Sequence, residues 1–298
     1  MGTFSKRVIA VCIVLVLLGV GVFAFVKLRK VETVSTPVVV LQPKESGTKH
    51  AVIGTSVEGR SIEAFTFGSG ATHLVFVGGI HGGYEWNSVL LSYQFIDYLS
   101  QNPGALPASL TVSVIPSANP DGVFKVIGKV GRFVLADVPT TTPQTTPGLG
   151  RFNAHDIDLN RNFDCNWKPT STWREKTVSA GTQAFSEPEA KALRDFVLKD
   201  KPVGVVFWHS QSNAVYASEC NAGILPRTLD IMNVYSKASG YPAVKSFDAY
   251  SITGDAEGWL ASINIPAITV ELSTHGTVEW ERNLAGAKAL FEYYRNLK

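Results

Sequence analysis

The sequence predicts an α/β fold, with a mixed, mostly parallel central sheet and helices on both faces, preceded by one N-terminal transmembrane helix. Short apolar runs alternate with segments of helical periodicity through most of the chain, a pattern typical of layered α/β domains. A chain of 298 residues, 45% of them hydrophobic, can bury a large core. Residues 8–26 form an uninterrupted apolar stretch, which predicts the membrane-spanning helix.

The N-terminal stretch sets the expected domain boundaries. Residues 8–26 contain no charge, and at about 1.5 Å per residue they span roughly the hydrocarbon core of a bilayer. Basic residues flank both ends, so charge does not fix the orientation. No small-residue cleavage pattern follows, which favours an uncleaved anchor over a signal peptide. We expect residues 1–30 to be a membrane anchor or signal segment, residues 31–47 a linker and residues 48–298 one domain. The protein would cross the membrane once, with this domain outside the cytoplasm. If the N-terminal segment is cleaved, the domain would be secreted.

Apolar runs bounded by turn residues predict the strands, and spacings of three and four predict the helices. The elements predicted in the first half are strands at 51–53, 62–67, 74–77 and 110–115, and a helix at 87–100. Those predicted in the second half are strands at 203–208 and 267–272, and helices from Pro188, at 229–238 and at 280–296. Ser186 and Glu189 have the spacing of a capping box. Residues 125–155 lack periodicity, as expected of a functional or disordered loop.

Charge and cysteine content restrict the function classes only weakly. The net charge is +2, and no cluster of basic residues interleaved with aromatics follows the N-terminus, so nucleic acid is not an expected partner. Cys165 and Cys220 lie in the body of the protein. They are compatible with one disulfide of an exported domain and equally with two buried thiols.

A glycine-rich turn after the strand at 74–77 carries the first candidate metal ligands. Residues 78–83 supply four glycines around His81, and Glu85 follows. Imidazole and carboxylate groups both bind Zn²⁺, and glycine permits the backbone conformations that aim them at one point. Two ligands do not make a site, so the rest of the chain must supply a third ligand and a base.

Two further polar residues stand at the ends of apolar strands. His209 follows the strand at 203–208, and Glu271 lies in the strand at 267–272. Ligands of open α/β sheets bind at the carboxyl ends of the strands, where His81 also lies. A carboxylate in an apolar strand is either paired or placed for acid–base work, and beside a metal it is suited to accept a proton from water.

Polar groups are concentrated at residues 158–162. Arg161 offers a bidentate fork to a carboxylate, and Asn160 is a neutral donor beside it. The two together suit recognition of a terminal carboxyl group. A surface salt-bridge loop is the alternative.

This ordered set resembles the zinc carboxypeptidases of the carboxypeptidase A type, including bacterial cell-wall peptide amidases. By that resemblance His81, Glu85 and His209 are the zinc ligands and Glu271 is the general base. The chain departs from the family pattern by one extra residue between His81 and Glu85, which we expect a glycine bulge to absorb.

The resemblance also implies roles for residues around the metal. Asn160 and Arg161 match the pair that grips the substrate carboxylate, and Asp158 matches the partner of the first histidine ligand. Arg151 matches the arginine that polarises the scissile carbonyl, with Arg132 as the competing assignment.

Three residues correspond to the substrate pocket of the family. Tyr250 resembles the mobile tyrosine that closes over the substrate, and Glu257 corresponds to the floor of the side-chain pocket. Asp255 and Glu257 would favour a basic or diaminopimelate terminal residue. Exposure of either carboxylate to solvent is the alternative.

The resemblance implies a zinc metallocarboxypeptidase or peptide amidase, with one Zn²⁺ per chain, that cleaves a peptide bond next to a free C-terminal carboxylate. The apolar stretch at residues 8–26 predicts that this enzyme is anchored to a membrane. The expected partners are a peptide, with cell-wall peptide as one candidate, and the membrane through residues 8–26. Two alternatives remain: a zinc deacylase of small N-acyl amino acids, and a non-catalytic module that binds peptide termini.

Overall fold

A computed structural model describes residues 48–140 and 148–297 of the chain. The strands are β1 (Lys49–Thr55), β2 (Ser61–Gly68), β3 (Thr72–Val77), β4 (Leu110–Ile115), β5 (Thr170–Trp173), β6 (Lys176–Ser179), β7 (Gly204–Ser210), β8 (Ala214–Ala217), β9 (Glu219–Cys220), β10 (Gly223–Ile224), β11 (Ala243–Val244) and β12 (Ala267–Leu272). The α-helices are α1 (Trp86–Gln101), α2 (Pro120–Ile127), α3 (Pro188–Asp200), α4 (Pro226–Ser239), α5 (Ala256–Ser262) and α6 (Trp280–Arg295).

Eight strands form one sheet in the order β1-β2-β4-β3-β7-β12-β8-β11. Its centre is parallel, because β4, β3, β7 and β12 run in the same direction. The antiparallel pairs β1–β2, β2–β4 and β12–β8 flank that centre. The predicted α/β fold with a mixed sheet is therefore confirmed.

Alternating side chains of the central strands build a core on each face of the sheet. Phe76 of β3 and Trp208 of β7 point to the face covered by α1, α2, α4 and α6. Val75 and Phe207, their neighbours in sequence, point to the face covered by α3 and α5. Strands buried on both faces read as continuous apolar runs, which is why the sequence identified them.

The predicted capping box at the start of α3 does not form. Glu187 is the N-cap residue and makes no side-chain cap, while the Ser186 hydroxyl donates to the Glu187 carboxylate at 2.7 Å. Glu189 is fully buried and accepts hydrogen bonds from the Val57 N–H at 3.1 Å and the Asn153 amide at 3.2 Å. Its carboxylate therefore accepts hydrogen bonds from groups in the core and does not cap the helix.

Cys165 and Cys220 form a disulfide, which decides between the two cysteine states left open by the sequence. Between residues 48 and 297, leaving aside 141–147, the structure contains no helix long and apolar enough to cross a bilayer. The predicted transmembrane helix at 8–26 and the predicted linker lie outside the described residues.

Candidate metal centre and cleft

The carboxyl ends of β3, β7 and β12 bring the predicted ligands and base to one edge of the sheet. The three strands are parallel neighbours, and Glu271 of β12 is paired in register with His209 of β7. His81 follows the end of β3 by four residues. Parallel strands end at the same edge, so the topology brings these three side chains to one place.

His81, Glu85 and His209 converge on one buried point. The Nδ1 atom of His81 lies 2.7 Å from Oε1 of Glu85, and Nδ1 of His209 lies 3.1 Å from Oε2. Their ligand atoms all lie within 4.8 Å of one another. Glu85 Oε2 is buried without a well-aligned hydrogen bond to any described residue. Two imidazoles and a carboxylate with an open fourth side are the donor set of catalytic zinc, so the residues fit the metal.

A short 3₁₀ turn, not the expected bulge, absorbs the extra residue between His81 and Glu85. It spans Gly82–Glu85, and Gly82 has a positive φ of 48°. A Cβ atom on Gly82 would lie 2.6 Å from the carbonyl oxygen of Gly150. Only glycine fits this close approach, and the turn brings Glu85 back to the histidines.

The buried charges shift the titration of both acids at the centre. Burial opposes ionisation of Glu85, but the charges of His81 and His209 outweigh it and hold the pKa of Glu85 well below its ordinary value. Burial raises the pKa of Glu271 to about 7, against the opposing charge of His209. The Ser212 N–H donates to Glu271 Oε2 at 3.2 Å.

Asp158 links the first histidine ligand to Arg151. Its Oδ1 lies 3.6 Å from His81 Nε2, and its Oδ2 accepts from Arg151 Nε and Nη2 at 3.0 and 2.8 Å. The guanidinium is buried, and its Nη1 lies 4.0 Å from Glu85 Oε1. The competing arginine, Arg132, is exposed and pairs with Asp97 at 2.7 Å. Of the two arginines, the geometry places Arg151 at the centre.

Asn160 and Arg161 line the same cleft, but both make internal contacts. Asn160 Oδ1 accepts from the Ala256 N–H at 2.8 Å, so its NH₂ group is the one suited to donate to a substrate. Arg161 donates to the carbonyl oxygens of Asn160 at 2.6 Å and Thr172 at 3.0 Å. These bonds fix the guanidinium, which is 2% exposed.

The cleft has a volume of about 630 Å³ and includes all three predicted ligands and Glu271 in its lining. Tyr250 is half-buried there and packs against Phe247 with ring centroids 4.9 Å apart. Asp255 caps α5 by accepting from the Gly258 N–H at 2.7 Å. Burial and the nearby charge of Glu257 raise the pKa of Asp255 to about 6.

Glu257 has different contacts from those expected of a pocket floor. Its Oε1 lies 3.2 Å from His209 Nε2 and accepts from the Thr269 hydroxyl at 3.0 Å. The side chain lines the cleft but is only 4% exposed. The structure therefore places this carboxylate behind His209, one of the three residues that could hold a metal.

A buried hydrogen-bond network that the sequence reasoning missed lies beside the centre. The Asn87 amide NH₂ donates to the carbonyl oxygens of Thr274 and Thr277 at 2.7 and 2.9 Å. Its Oδ1 therefore accepts from the Ser210 hydroxyl at 3.0 Å. Because Ser210 has one proton, it accepts from His275 Nδ1 at 2.7 Å.

This network, Asn87–Ser210–His275, joins three segments that carry the candidate ligands Glu85 and His209 and the candidate base Glu271. Asn87 follows Glu85 by two residues, and Ser210 follows His209 by one. His275 stands in the turn after Glu271. A histidine four residues after the candidate base Glu271 was the signal available in the sequence.

Comparison with known families agrees with this geometry. Residues 41–285 match the zinc carboxypeptidase family. A γ-D-glutamyl-L-diamino acid endopeptidase of Lysinibacillus sphaericus is 25% identical over 240 residues, which are 74% of this chain and 60% of that protein. Murein peptide amidase A of Escherichia coli K12 is 30% identical over 131 residues, 41% of this chain and 50% of that protein. The chain thus matches between half and two thirds of the length of these relatives.

Solved structures share the fold. The murein-tripeptide amidase of Escherichia coli O157 aligns over 85% of this chain and 93% of its own, with a TM-score of 0.57 and 24% identity. Carboxypeptidase A of Helicoverpa armigera aligns over 84% of this chain and 70% of its own, with a TM-score of 0.62 and 18% identity. At these identities the likeness concerns the fold alone.

Proposed function

Because the chain belongs to the zinc carboxypeptidase family, we propose that it hydrolyses the peptide bond next to a free terminal carboxylate. One observation carries the proposal: a single cleft contains the His81–Glu85–His209 group, Glu271 and the Asn160–Arg161 pair. A metal group, a base and a carboxylate clamp are the three parts that such a reaction needs.

The chemistry assigned to this chain's own residues follows from their positions. When bound, Zn²⁺ supplies a Lewis acid that polarises the scissile carbonyl and acidifies water. Glu271 accepts a proton from the attacking water and returns it to the leaving amine. Arg151, fixed by Asp158, stabilises negative charge on the carbonyl oxygen. Arg161 and the Asn160 amide hold the substrate carboxylate.

Cell-wall peptides are the proposed substrate class. The relatives named above are a γ-D-glutamyl-L-diamino acid endopeptidase and a murein peptide amidase. Asp255 lies in the cleft near the candidate clamp and offers an acceptor to an amino-bearing terminal side chain. A terminal diamino acid presents both the carboxylate and the amine that this arrangement suits.

Paired substrates test the proposal. The purified protein should contain one zinc per chain and should hydrolyse a γ-D-glutamyl-L-lysine or γ-D-glutamyl-diaminopimelate peptide. Amidation of the terminal carboxylate should lower kcat/KM at least about tenfold. Arg161→Ala should lower kcat/KM for the free-acid peptide and leave kcat/KM for the amidated peptide nearly unchanged. The control is Arg174→Ala, because Arg174 is an exposed arginine of the same cleft.

Three results would contradict it. Absence of restorable zinc would leave only a binding module. Equal turnover of the free-acid and the amidated peptide would show that Asn160 and Arg161 do not bind the substrate carboxylate. Turnover of N-acyl amino acids without peptide cleavage would make the protein a deacylase.

We further propose that residues 8–26 anchor the domain to a membrane, with the domain outside the cytoplasm. The support is the uncharged apolar stretch itself, together with a Cys165–Cys220 disulfide that suits an oxidising compartment. The full chain should remain in the membrane fraction after an alkaline wash, and a protease added to intact spheroplasts should digest it. Release of a shortened soluble form would identify a cleaved signal peptide instead.

A further inference from the structure

Both histidines of the metal group have a carboxylate on the nitrogen that faces away from Glu85. His81 Nε2 lies 3.6 Å from Asp158 Oδ1, and His209 Nε2 lies 3.2 Å from Glu257 Oε1. Neither Nε2 atom has a well-aligned hydrogen bond within the described part of the chain. In each ring Nδ1 is the nitrogen that faces Glu85. Each ring therefore has a carboxylate near both of its nitrogens, although only Asp158 was expected from the sequence.

Strand alternation explains how Glu257 reaches His209. His209 and Glu271 are paired in register on β7 and β12, and Thr269 is two residues before Glu271 on the same face. That face of the sheet is covered by α5, whose first turn carries Glu257. The helix thus directs one carboxylate at the back of a strand-borne histidine.

The Glu257 carboxylate is held in place by a second contact. Thr269 donates its hydroxyl hydrogen to the same oxygen, Oε1, that faces His209. The side chain is 4% exposed, so its position is fixed by packing as well. Asp255, two residues earlier, is partly exposed, and its carboxylate accepts from the Gly258 N–H at the start of the helix. Glu257 and Asp255 therefore differ in their contacts: Glu257 faces His209, whereas Asp255 caps the helix and faces the cleft.

We propose that Glu257 is a positioning residue for the zinc ligand His209, and that it does not select the terminal side chain of the substrate. By accepting the Nε2 proton it fixes the tautomer that leaves the Nδ1 lone pair for the metal, and it fixes the ring plane. Selection of an amino-bearing side chain is then left to Asp255. This inference rests on the proposed zinc-dependent function.

Zinc affinity, measured without substrate, tests the assignment. Metal-free wild type, Glu257→Gln and Asp255→Asn are titrated with Zn²⁺ against a chromophoric chelator. Each variant removes one carboxylate charge from the same cleft, and asparagine still caps a helix. Glu257→Gln should bind zinc about 10- to 100-fold more weakly, whereas Asp255→Asn should match wild type. Thr269→Val should give a smaller loss in the same direction, because Glu257 loses its anchor.

The Co²⁺-substituted proteins supply a spectroscopic readout: the visible absorption bands should change in Glu257→Gln and stay unchanged in Asp255→Asn. The proposal would be overturned if Glu257→Gln kept its zinc affinity and lost the preference for amino-bearing terminal residues. Glu257 would then form the floor of the side-chain pocket, as first expected from the sequence. If Glu257→Gln fails to fold, unaltered affinity of Thr269→Val overturns it. A wild type that binds no zinc would instead refute the function on which the inference rests.

Discussion

The titration of Glu271 ties stability to catalysis at a single residue. Burial raises its pKa to about 7, although the side chain keeps some exposure to the cleft. Bound Zn²⁺ is a nearby positive charge and lowers that pKa. A base must be ionised to accept a proton, so the charged form of Glu271 is required for turnover and is disfavoured by burial.

We predict opposite effects of Glu271→Gln on activity and on stability. Turnover should be lost while zinc is retained. The pKa of Glu271 in the folded protein lies above its ordinary value of 4.5, so the folded state favours the protonated carboxyl group. This contribution to the free energy of unfolding is fully present below about pH 4.5 and is lost as the pH rises through about 7. At pH 8 the metal-free variant should therefore resist urea better than metal-free wild type, by about 1–2 kcal/mol.

The pH profile provides the control. The stability difference should vanish near pH 4.5, and kcat/KM of the wild-type zinc enzyme should fall on an acid limb below pH 7. A constant stability difference across this range would show that the glutamine packs better for reasons unrelated to charge.

Gly82 tests whether the unusual ligand spacing depends on glycine. In Gly82→Ala the new Cβ would lie 2.6 Å from the Gly150 carbonyl oxygen and 2.8 Å from the Gly122 Cα, at a positive φ. We expect a loss of about 3 kcal/mol in unfolding free energy and weaker zinc binding, because the turn carries Glu85. Urea unfolding and zinc titration measure the two effects.

Gly128→Ala is the matched control for this change. Gly128 also has a positive φ, at the end of α2, but a Cβ there meets nothing within 4 Å. It should cost only about 1 kcal/mol and leave zinc binding unchanged. Equal losses in both variants would mean that the backbone angle alone, and not the close approach, requires glycine at position 82.

At the scale of elements, the Asn87–Ser210–His275 network joins the start of α1, the end of β7 and the turn after β12. Burial lowers the pKa of His275 and so favours its neutral ring. Its ring also packs edge-on against Tyr84, with centroids 4.7 Å apart. The network holds in register the three elements that carry Glu85, His209 and Glu271.

We predict that His275→Phe lowers kcat about tenfold, because the aromatic packing stays while the hydrogen bond to Ser210 is lost. The loss of stability should be only about 1–2 kcal/mol. Tyr294→Phe is the control, since it removes a partly buried hydrogen bond of 2.9 Å to the carbonyl oxygen of Val203, just before the other end of β7. Steady-state kinetics and urea unfolding should show similar stability losses in both variants and a kcat effect only in His275→Phe.

Elements were predictable from sequence where one periodicity dominated. The strand at 74–77 and the helix at 87–100 were located to within a few residues, because each is apolar over its buried face. The helices α2 and α5 were missed, since they have only eight and seven residues. Short helices are set by tertiary contacts, which local pattern does not contain.

Site residues were predictable where a strand end fixed their position, as for His209 and Glu271. The contacts of Glu257 were not predictable, because they depend on how α5 packs on β7 and β12. The extra residue before Glu85 was visible in the sequence, but the 3₁₀ turn that absorbs it depends on the neighbouring Gly150 backbone. In both cases the missing information is the packing of distant segments.

At the scale of the whole molecule, the disulfide joins two segments that line the cleft. Cys165 follows the Asn160–Arg161 pair, and Cys220 belongs to β9, 55 residues later in the chain. Both cysteines line the cleft together with Arg161 and His209, so the crosslink restrains the segment that follows the clamp. Closing a loop of this length stabilises a domain by about 2–4 kcal/mol.

We therefore predict that the double variant Cys165→Ser/Cys220→Ser unfolds at lower urea concentration, by about 2–4 kcal/mol, and raises KM more than it lowers kcat. The split is expected because the clamp side of the cleft gains freedom, while His209 and Glu271 stay fixed by the pairing of β7 with β12. A reducing agent should reproduce the loss in wild type and have no effect on the double variant. If reduction leaves both the unfolding midpoint and KM of wild type unchanged, the crosslink does not restrain the clamp, and the position of Arg161 must be maintained by its bonds to Asn160 and Thr172 alone.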